Sequence, residues 1–425
     1  MITFMIALFV TLLMLSTPIA IIMLAVTGAT LYFYLNIPLQ AIVQQLFNGM
    51  DNFILLAIPF FILAGNIMAQ GSIAKKLVAV MQMLVGRLPG GMAIASILAC
   101  IFFAAISGSS PATVIAIGSI MIPALIKNGY SEKFSTGLLT SAGSLGILIP
   151  PSIPMVLYAL VMNVSVGEMF MAGVLPGAVI GGILALYSVI LAIRHGWRSE
   201  QRYTWRERWQ LLRSASWGIA MPVVVLGGIY SGIFTPTEAA AVSVVYALLV
   251  ELFIYKDMSL AKFHRVLKES VVLSSALLFI ISCAMTFIWL LTREKLPVTV
   301  ADFIVSHIQN KYLFLFAINI FLLLVGCVMD IVSAVVVISP ILLVALQKFD
   351  IDLIHYGIIM IVNIEFGFLT FPFGLNLFVA MGLTGKSLTE IGRAVFPFLL
   401  LLLAGLMLIT YVPAISLSLT QLFSS

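Results

Sequence analysis

Charge is what this chain has least of. Of its 425 residues only 9% are Asp, Glu, Lys or Arg, 21 basic and 16 acidic. A soluble chain is about 25% charged and 45–50% apolar. Here 62% of residues are hydrophobic and the mean hydropathy is +1.21, which excludes a soluble globular protein. Apolar runs are continuous rather than alternating, which excludes an outer-membrane barrel. Cysteine is scarce as well. Cys100, Cys283 and Cys327 lie in apolar stretches without disulfide or metal-ligand spacing, and read as packing residues. The four histidines fall in loops, too few and too peripheral for zinc. There is no HExxH, no Walker-type loop and no Cys–His set. An intramembrane protease needs a Ser–His pair or two aspartates within spans, and only Asp330 is a clear intramembrane aspartate. The chain is therefore expected not to be an enzyme and to need no organic cofactor. The opening MITFMIALFVTLLML lacks a basic n-region and a cleavage site. It is expected to stay as the first helix.

What is present is a polytopic all-α membrane protein. At about 20 residues per span the chain has room for roughly a dozen crossings. The net charge of +5 and pI near 9.1 do not point to nucleic acid. The basic residues sit between apolar runs, where the positive-inside rule accounts for them. Residues 169–193, 238–254, 271–291 and 394–415 are ordinary spans. Four other apolar stretches are interrupted by Gly, Pro and Ser: 101–126, 144–160, 322–344 and 365–381. A break inside lipid strands backbone amides and carbonyls, and survives only inside protein or beside a wet cavity.

The interruptions repeat. Gly146, Leu148, Pro151 and Ala159 are matched by Gly367, Leu369, Pro372 and Ala380, each 221 positions on. Gly137 pairs with Gly357 at 220, and the break at Gly108–Pro111 falls opposite Met329–Val332. Corresponding interruptions in two halves are a pointer to a transporter binding site. Between the halves, 194–213 holds six arginines together with Trp197, Trp205 and Trp209. It reads as a cytoplasmic amphipathic segment lying in the interface. The basic loop 256–268 follows after room for two crossings, so both loops share the cytoplasmic side. Inverted orientation of the repeats follows if each half has an odd number of crossings.

The polar residues at depth suit a small cation. Sodium wants about five or six oxygens. Unwound backbone and the hydroxyls of Ser107, Ser109 and Ser110 supply them. Prolines 150, 151 and 154 remove amide donors and leave carbonyls free. The second repeat offers Gly326, Asp330 and Ser333 with Gly367, Thr370 and Pro372. Helix N-termini near Pro111 and Ile331 would present positive dipole ends to an anion. Asp330 and Glu365 are ionisable residues in apolar runs and so functional candidates, with a helix cap or a protonated side chain as the plainer explanation. Asn363 and Asn376 flank the second broken helix. Thr235 before Pro236, with Glu238 three residues later, is a capping box at the start of a span.

Four segments, AIPFFILAGNIM (57–68), SGSSPATVIAIGSIMIP (107–123), GILIPPSIPM (146–155) and GIFTPTEAAAV (232–242), occur in this order. Together they make the whole chain resemble the large membrane subunit of a tripartite ATP-independent periplasmic (TRAP) transporter. The resemblance implies a multi-pass protein of the bacterial inner membrane, a sodium-coupled importer of carboxylate-bearing organic acids. It implies a separate four-helix membrane subunit, a periplasmic substrate-binding protein and contact with membrane lipid. It also implies an elevator, in which a transport domain of two re-entrant hairpins and two broken helices slides against a scaffold.

Carried onto this sequence, the scaffold starts with 1–92 and the first transport repeat is 93–193, with its hairpin over 93–127 and its broken helix over 137–163. The arginine-rich segment is 194–216 and the second scaffold half 217–311. The second transport repeat, with the C-terminal helix, is 312–425, its hairpin over 313–346 and its broken helix over 357–382. The first sodium ion falls to Ser107, Gly108, Ser110, Gly146, Ile149 and Pro151. The second falls to Gly326, Met329, Asp330, Gly367, Thr370 and Pro372. Substrate falls to Ser109, Ser110, Pro111, Asp330, Ser333 and Asn376. The repeats differ, since the second lacks the double proline and has Asp330 where the first has Ser109.

Two ions entering with a monoanion, at a tenfold gradient and 100 mV, supply about 5 kcal/mol. Sialic acid and C4-dicarboxylates are the substrates the resemblance puts first, sialic acid slightly ahead. A stand-alone dicarboxylate or ion exchanger of related architecture, and a channel, are the competing readings. Paired broken helices weigh against the channel.

Overall fold

A computed structural model describes residues 1–197, 203–371 and 374–423, and every regular element among them is helical. The chain begins with α1 (Ile2–Met14), α2 (Ile19–Thr30), α3 (Gln40–Met50), α4 (Ala57–Gln70) and α5 (Ile73–Val85). A first group follows: α6 (Gly91–Ser107), α7 (Ser110–Lys127), α8 (Glu132–Ala142), the single turn α9 (Leu145–Leu148), α10 (Ile153–Met162) and the long α11 (Val166–His195). Next come α12 (Trp205–Tyr230), α13 (Pro236–Leu249), α14 (Leu260–Arg293) and α15 (Leu296–His307). A second group closes the chain: α16 (Lys311–Gly326), α17 (Ile331–Lys348), α18 (Leu353–Gly367), α19 (Leu375–Thr384), α20 (Leu388–Tyr411) and α21 (Ala414–Phe423).

The helix starts are written in the sequence as caps. Ser131, Ser165, Thr204, Thr235 and Ser387 each accept a bond from the backbone amide three residues on. That satisfies one of the orphan amides of the first turn. At Thr204, Thr235 and Ser387 a glutamate returns the bond and completes a capping box. The expected cap at Thr235 is therefore present.

Eight of the described helices are long and apolar enough to cross a membrane, or nine if the bent pair Glu132–Leu148 and Ile153–Met162 is one span. That is fewer than the dozen expected from length. The difference lies in shorter apolar helices of 10–17 residues, among them α1, α2 and α15 and, beside the interruptions, α6, α16, α18 and α19. The arginine-rich segment also differs from expectation. Trp205 to Arg213 are the first turns of α12, which runs unbroken to Tyr230, and residues 198–202 lie outside the described residues. The histidines are not loop residues either. His195, His264, His307 and His355 all fall within helices, and His355 is buried between helices with Nε2 3.2 Å from the Thr410 carbonyl. Apolar neighbours in register outweigh the one polar residue that had marked each as a loop. All three cysteines are buried and free.

The two groups share one helix order and nearly one spacing. From Ser110 to Ile331 and from Glu132 to Leu353 is 221 positions; from Ile153 to Leu375 and from Val166 to Leu388 is 222. Helices α7 and α17 are both 18 residues long, and their caps Ser109 and Asp330 are again 221 apart. The groups interlock: α7 packs on α19, α17 on α10, and α8 on α20. Glycine permits these crossings. A Cβ on Gly137 would stand 2.2 Å from the Ala394 carbonyl, and one on Gly357 2.4 Å from the Tyr158 ring.

Around the groups, α14 crosses α2, α3 and α4, and α4 lies along α13. Asn66 on α4 donates to Ser270 Oγ on α14 at 2.9 Å. Gly65 also brings α4 to the end of α6, where a Cβ would stand 3.0 Å from Ser107 Cα.

Candidate ion and substrate site

The first hairpin turns over at Gly108. Helix α6 stops there because Gly108 takes φ +57°, a left-handed backbone that suits glycine. Ser109 then caps α7, and Ser110–Pro111 start it. Side chains tie the turn together. Thr113 Oγ1 donates to the Ser109 carbonyl at 2.8 Å, and Ser107 Oγ lies 3.2 Å from Thr113 Oγ1. Ser107, Ser110 and Thr113 are buried.

Facing the turn is the first broken helix. Helix α9 ends at Leu148 and Ile149 is extended. Pro150 and Pro151 cannot continue the ladder, and α10 resumes at Ile153 with a 41° bend. Turn and break meet backbone to backbone. A Cβ on Gly108 would lie 2.8 Å from the Pro151 carbonyl oxygen, and one on Gly146 2.6 Å from that of Ser109. The expected residues Ser107, Gly108, Ser110, Gly146, Ile149 and Pro151 thus lie along one junction. Ser141 Oγ and Ser152 Oγ, on the same broken helix, are buried without a hydrogen-bond partner. Carbonyls freed by proline, together with hydroxyls, form a donor set for a hard cation.

The second junction is built differently. Helix α16 ends at Gly326, and Asp330 caps α17. Asp330 Oδ1 accepts the Ser333 amide at 2.9 Å and Oδ2 accepts the Ser333 hydroxyl. Asp330 is exposed and Met329 half-buried. The backbone that meets the second broken helix is that of Gly326. A Cβ on Gly326 would stand 2.6 Å from the Ile364 carbonyl, and one on Gly367 2.4 Å from the Gly326 carbonyl carbon. Thr370 Oγ1 is 2.9 Å from the Phe366 carbonyl, to which it donates. Pro372 lies outside the described residues.

The expected substrate residues form two sets. Asn376 Nδ2 donates to Ser110 Oγ at 2.6 Å, joining the second broken helix to the first hairpin, beside half-buried Ser109 and Pro111. Asp330 and Ser333 bond to each other at the second hairpin. Among the described residues no hydrogen bond joins the two sets.

Two residues absent from the expected set complete the first of them. Thr113 braces the turn. Glu365, buried, accepts from Asn376 Nδ2 at 3.0 Å, so Asn376 links it to Ser110. Glu365 was signalled by a charge in an apolar run; Thr113 looked like any helix residue. Asn363 serves packing: its Nδ2 donates to Asn319 Oδ1 at 2.6 Å, and Asn319 to Thr410 Oγ1 at 3.1 Å, linking α18, α16 and α20.

Residues 6–415 match the family model described as the tripartite ATP-independent periplasmic transporter, DctM component. The C4-dicarboxylate TRAP transporter large permease protein DctM of Rhodobacter capsulatus is 44% identical, over 94% of this chain and 94% of that protein. The isethionate TRAP transporter permease protein DctMQ of Oleidesulfovibrio alaskensis is 40% identical, over 95% of this chain and 64% of its own length. Among solved structures, the Alcanivorax borkumensis YdaH transporter superposes with a TM-score of 0.63 at 13% identity, over 87% of this chain and 86% of that one. The last likeness concerns the fold alone.

Proposed function

The chain belongs to the DctM family of large TRAP transporter permeases, and on that premise we propose that it is a sodium-coupled importer of a small carboxylate, a C4-dicarboxylate first. Its partners are a small membrane subunit and a periplasmic binding protein. Its place is the bacterial inner membrane. The observation that supports coupling is the pair of glycine-lined junctions, Gly108–Gly146 and Gly326–Gly367, where each hairpin end meets a broken helix. One sodium ion falls to the first junction, among Ser107, Ser110 and the carbonyls around Gly146–Pro151. The second falls between Gly326–Asp330 and Gly367–Thr370. An ion at either place would join a hairpin to its broken helix. Filling both would let the group of helices move as one body against α4, α13 and α14, as an elevator requires.

The 44% identity to a permease named for C4-dicarboxylates favours that class over sialic acid. Asn376, Ser110 and Ser333 supply polar contacts at the hairpin ends, and the N-termini of α7 and α17 favour an anion. With a dianion, two sodium ions carry no net charge. A tenfold gradient then supplies about 2.8 kcal/mol, enough for about hundredfold accumulation.

The test is uptake of labelled succinate and labelled sialic acid into proteoliposomes holding the chain and its small subunit. The assay is run with and without the binding protein. Succinate uptake that needs the binding protein supports the reading. Uptake without it favours a stand-alone exchanger, and sialic acid uptake alone moves the substrate class.

A further inference from the structure

Glu365 is a carboxylate in the last turn of the apolar helix α18, and it is buried. It is 1% exposed; Asn376 and Ser110 beside it are fully buried. Among the described residues its ion pairs are none, since the four salt bridges lie elsewhere. Taking an ionised carboxylate out of water costs several kcal/mol unless a counter-charge or a proton is supplied.

The hydrogen bonds show where either would sit. Asn376 Nδ2 donates to the carboxyl and also to Ser110 Oγ. A donor to the carboxyl stabilises its charged form. Glu365 Oε2 has no partner at all. A proton there would need a buried acceptor. Asn376 Oδ1 is a second buried oxygen without a partner. Two open acceptors on adjoining side chains call for a cation between them, either a proton on Glu365 shared with Asn376 or a metal ion held by both.

We propose that Glu365 and Asn376 bind a further monovalent cation of the sodium class, separate from the ions at the two glycine junctions. Three elements converge on it. Glu365 is on α18, Asn376 on α19, and Ser110 at the start of α7 holds the cluster to the first hairpin. The backbone beside Glu365 also faces the second hairpin, because the Ile364 carbonyl is where Gly326 packs. An ion here sits where both hairpins touch the second broken helix. It raises the sodium count per cycle by one, so a dianion would enter with net positive charge. This inference rests on the sodium-coupled reading above.

The experiment counts radioactive sodium bound to the purified chain in complex with its small subunit. It compares wild type, Glu365→Gln, and the double variant Glu365→Gln with Asn376→Asp. Gln copies the shape and hydrogen bonding of a protonated acid, so it separates the two explanations. The proposal expects Glu365→Gln to bind one sodium ion fewer than wild type. It expects the double variant, with the carboxylate moved to the neighbouring position, to regain that ion. Equal counts in wild type and Glu365→Gln overturn the proposal and leave sodium coupling standing. A wild type that binds no sodium overturns both. If Glu365→Gln does not fold, Asn376→Asp alone decides: tighter sodium binding supports the site, and unchanged or weaker binding overturns it.

Discussion

Gly146 lies against the carbonyl of Ser109, so close that a Cβ would stand 2.6 Å from the oxygen. The contact joins the first broken helix to the first hairpin through backbone alone. Gly146→Ala must push the two apart. Overpacking of this kind costs about 1–3 kcal/mol. The variant is expected to assemble with a lower melting temperature and to lose sodium-dependent uptake. Wild-type sodium activation in folded Gly146→Ala would remove this junction from the ion site.

Gly326 and Gly367 make the equivalent prediction for the second hairpin, through a different pair of backbones. Gly367→Ala would place its Cβ 2.4 Å from the Gly326 carbonyl carbon. Sodium activation curves should shift to higher concentration in this variant. An unshifted curve would show that the second junction holds no ion.

The capping role of Asp330 separates two explanations of one carboxylate. Its oxygens take the Ser333 amide and hydroxyl. Asp330→Ala loses the cap, worth about 1 kcal/mol, and frees Ser333. Asp330→Ser places at this position the residue type found at Ser109. Uptake should fall in Asp330→Ala and be largely retained in Asp330→Ser. Equal loss in both would make the carboxylate itself an ion or substrate ligand.

Thr235→Ala tests a feature with no part in transport chemistry. Thr235 and Glu238 close a capping box at the start of α13. Its removal should cost about 0.5–2 kcal/mol, read as a lower melting temperature. The sodium dependence of uptake should not change.

Much of this arrangement is legible in the sequence because a break at membrane depth needs particular residues. Gly108, the serines around it and Pro150–Pro151 mark the first hairpin and first broken helix without knowledge of contacts. The cap at Thr235 is legible for the same local reason. Legibility stops where a contact depends on which backbone meets which. The 221-residue spacing sets Asp330 opposite Gly367 as Ser109 stands opposite Gly146, yet it is Gly326, at the end of α16, that touches Gly367. Helix ends and crossings across distant segments decide this, and no local pattern carries them. The link from Glu365 through Asn376 to Ser110 includes a bond between residues 266 positions apart, Asn376 and Ser110, and is equally invisible. The arginine-rich segment reads as a separate surface element because charge and tryptophan dominate a short window. The helix that contains Trp205–Arg213 continues into an apolar run, and the longer pattern wins.

On the proposed reading, sodium drives uptake through these junctions. The most direct measurement is the initial rate and final level of labelled succinate in proteoliposomes holding the chain, its small subunit and the binding protein. An inward sodium gradient is compared with equal sodium on both sides. Accumulation above the external concentration only under the gradient, collapsing when the gradient is dissipated, is the result expected. Equal accumulation without a sodium gradient, or mere equilibration under one, would contradict the account.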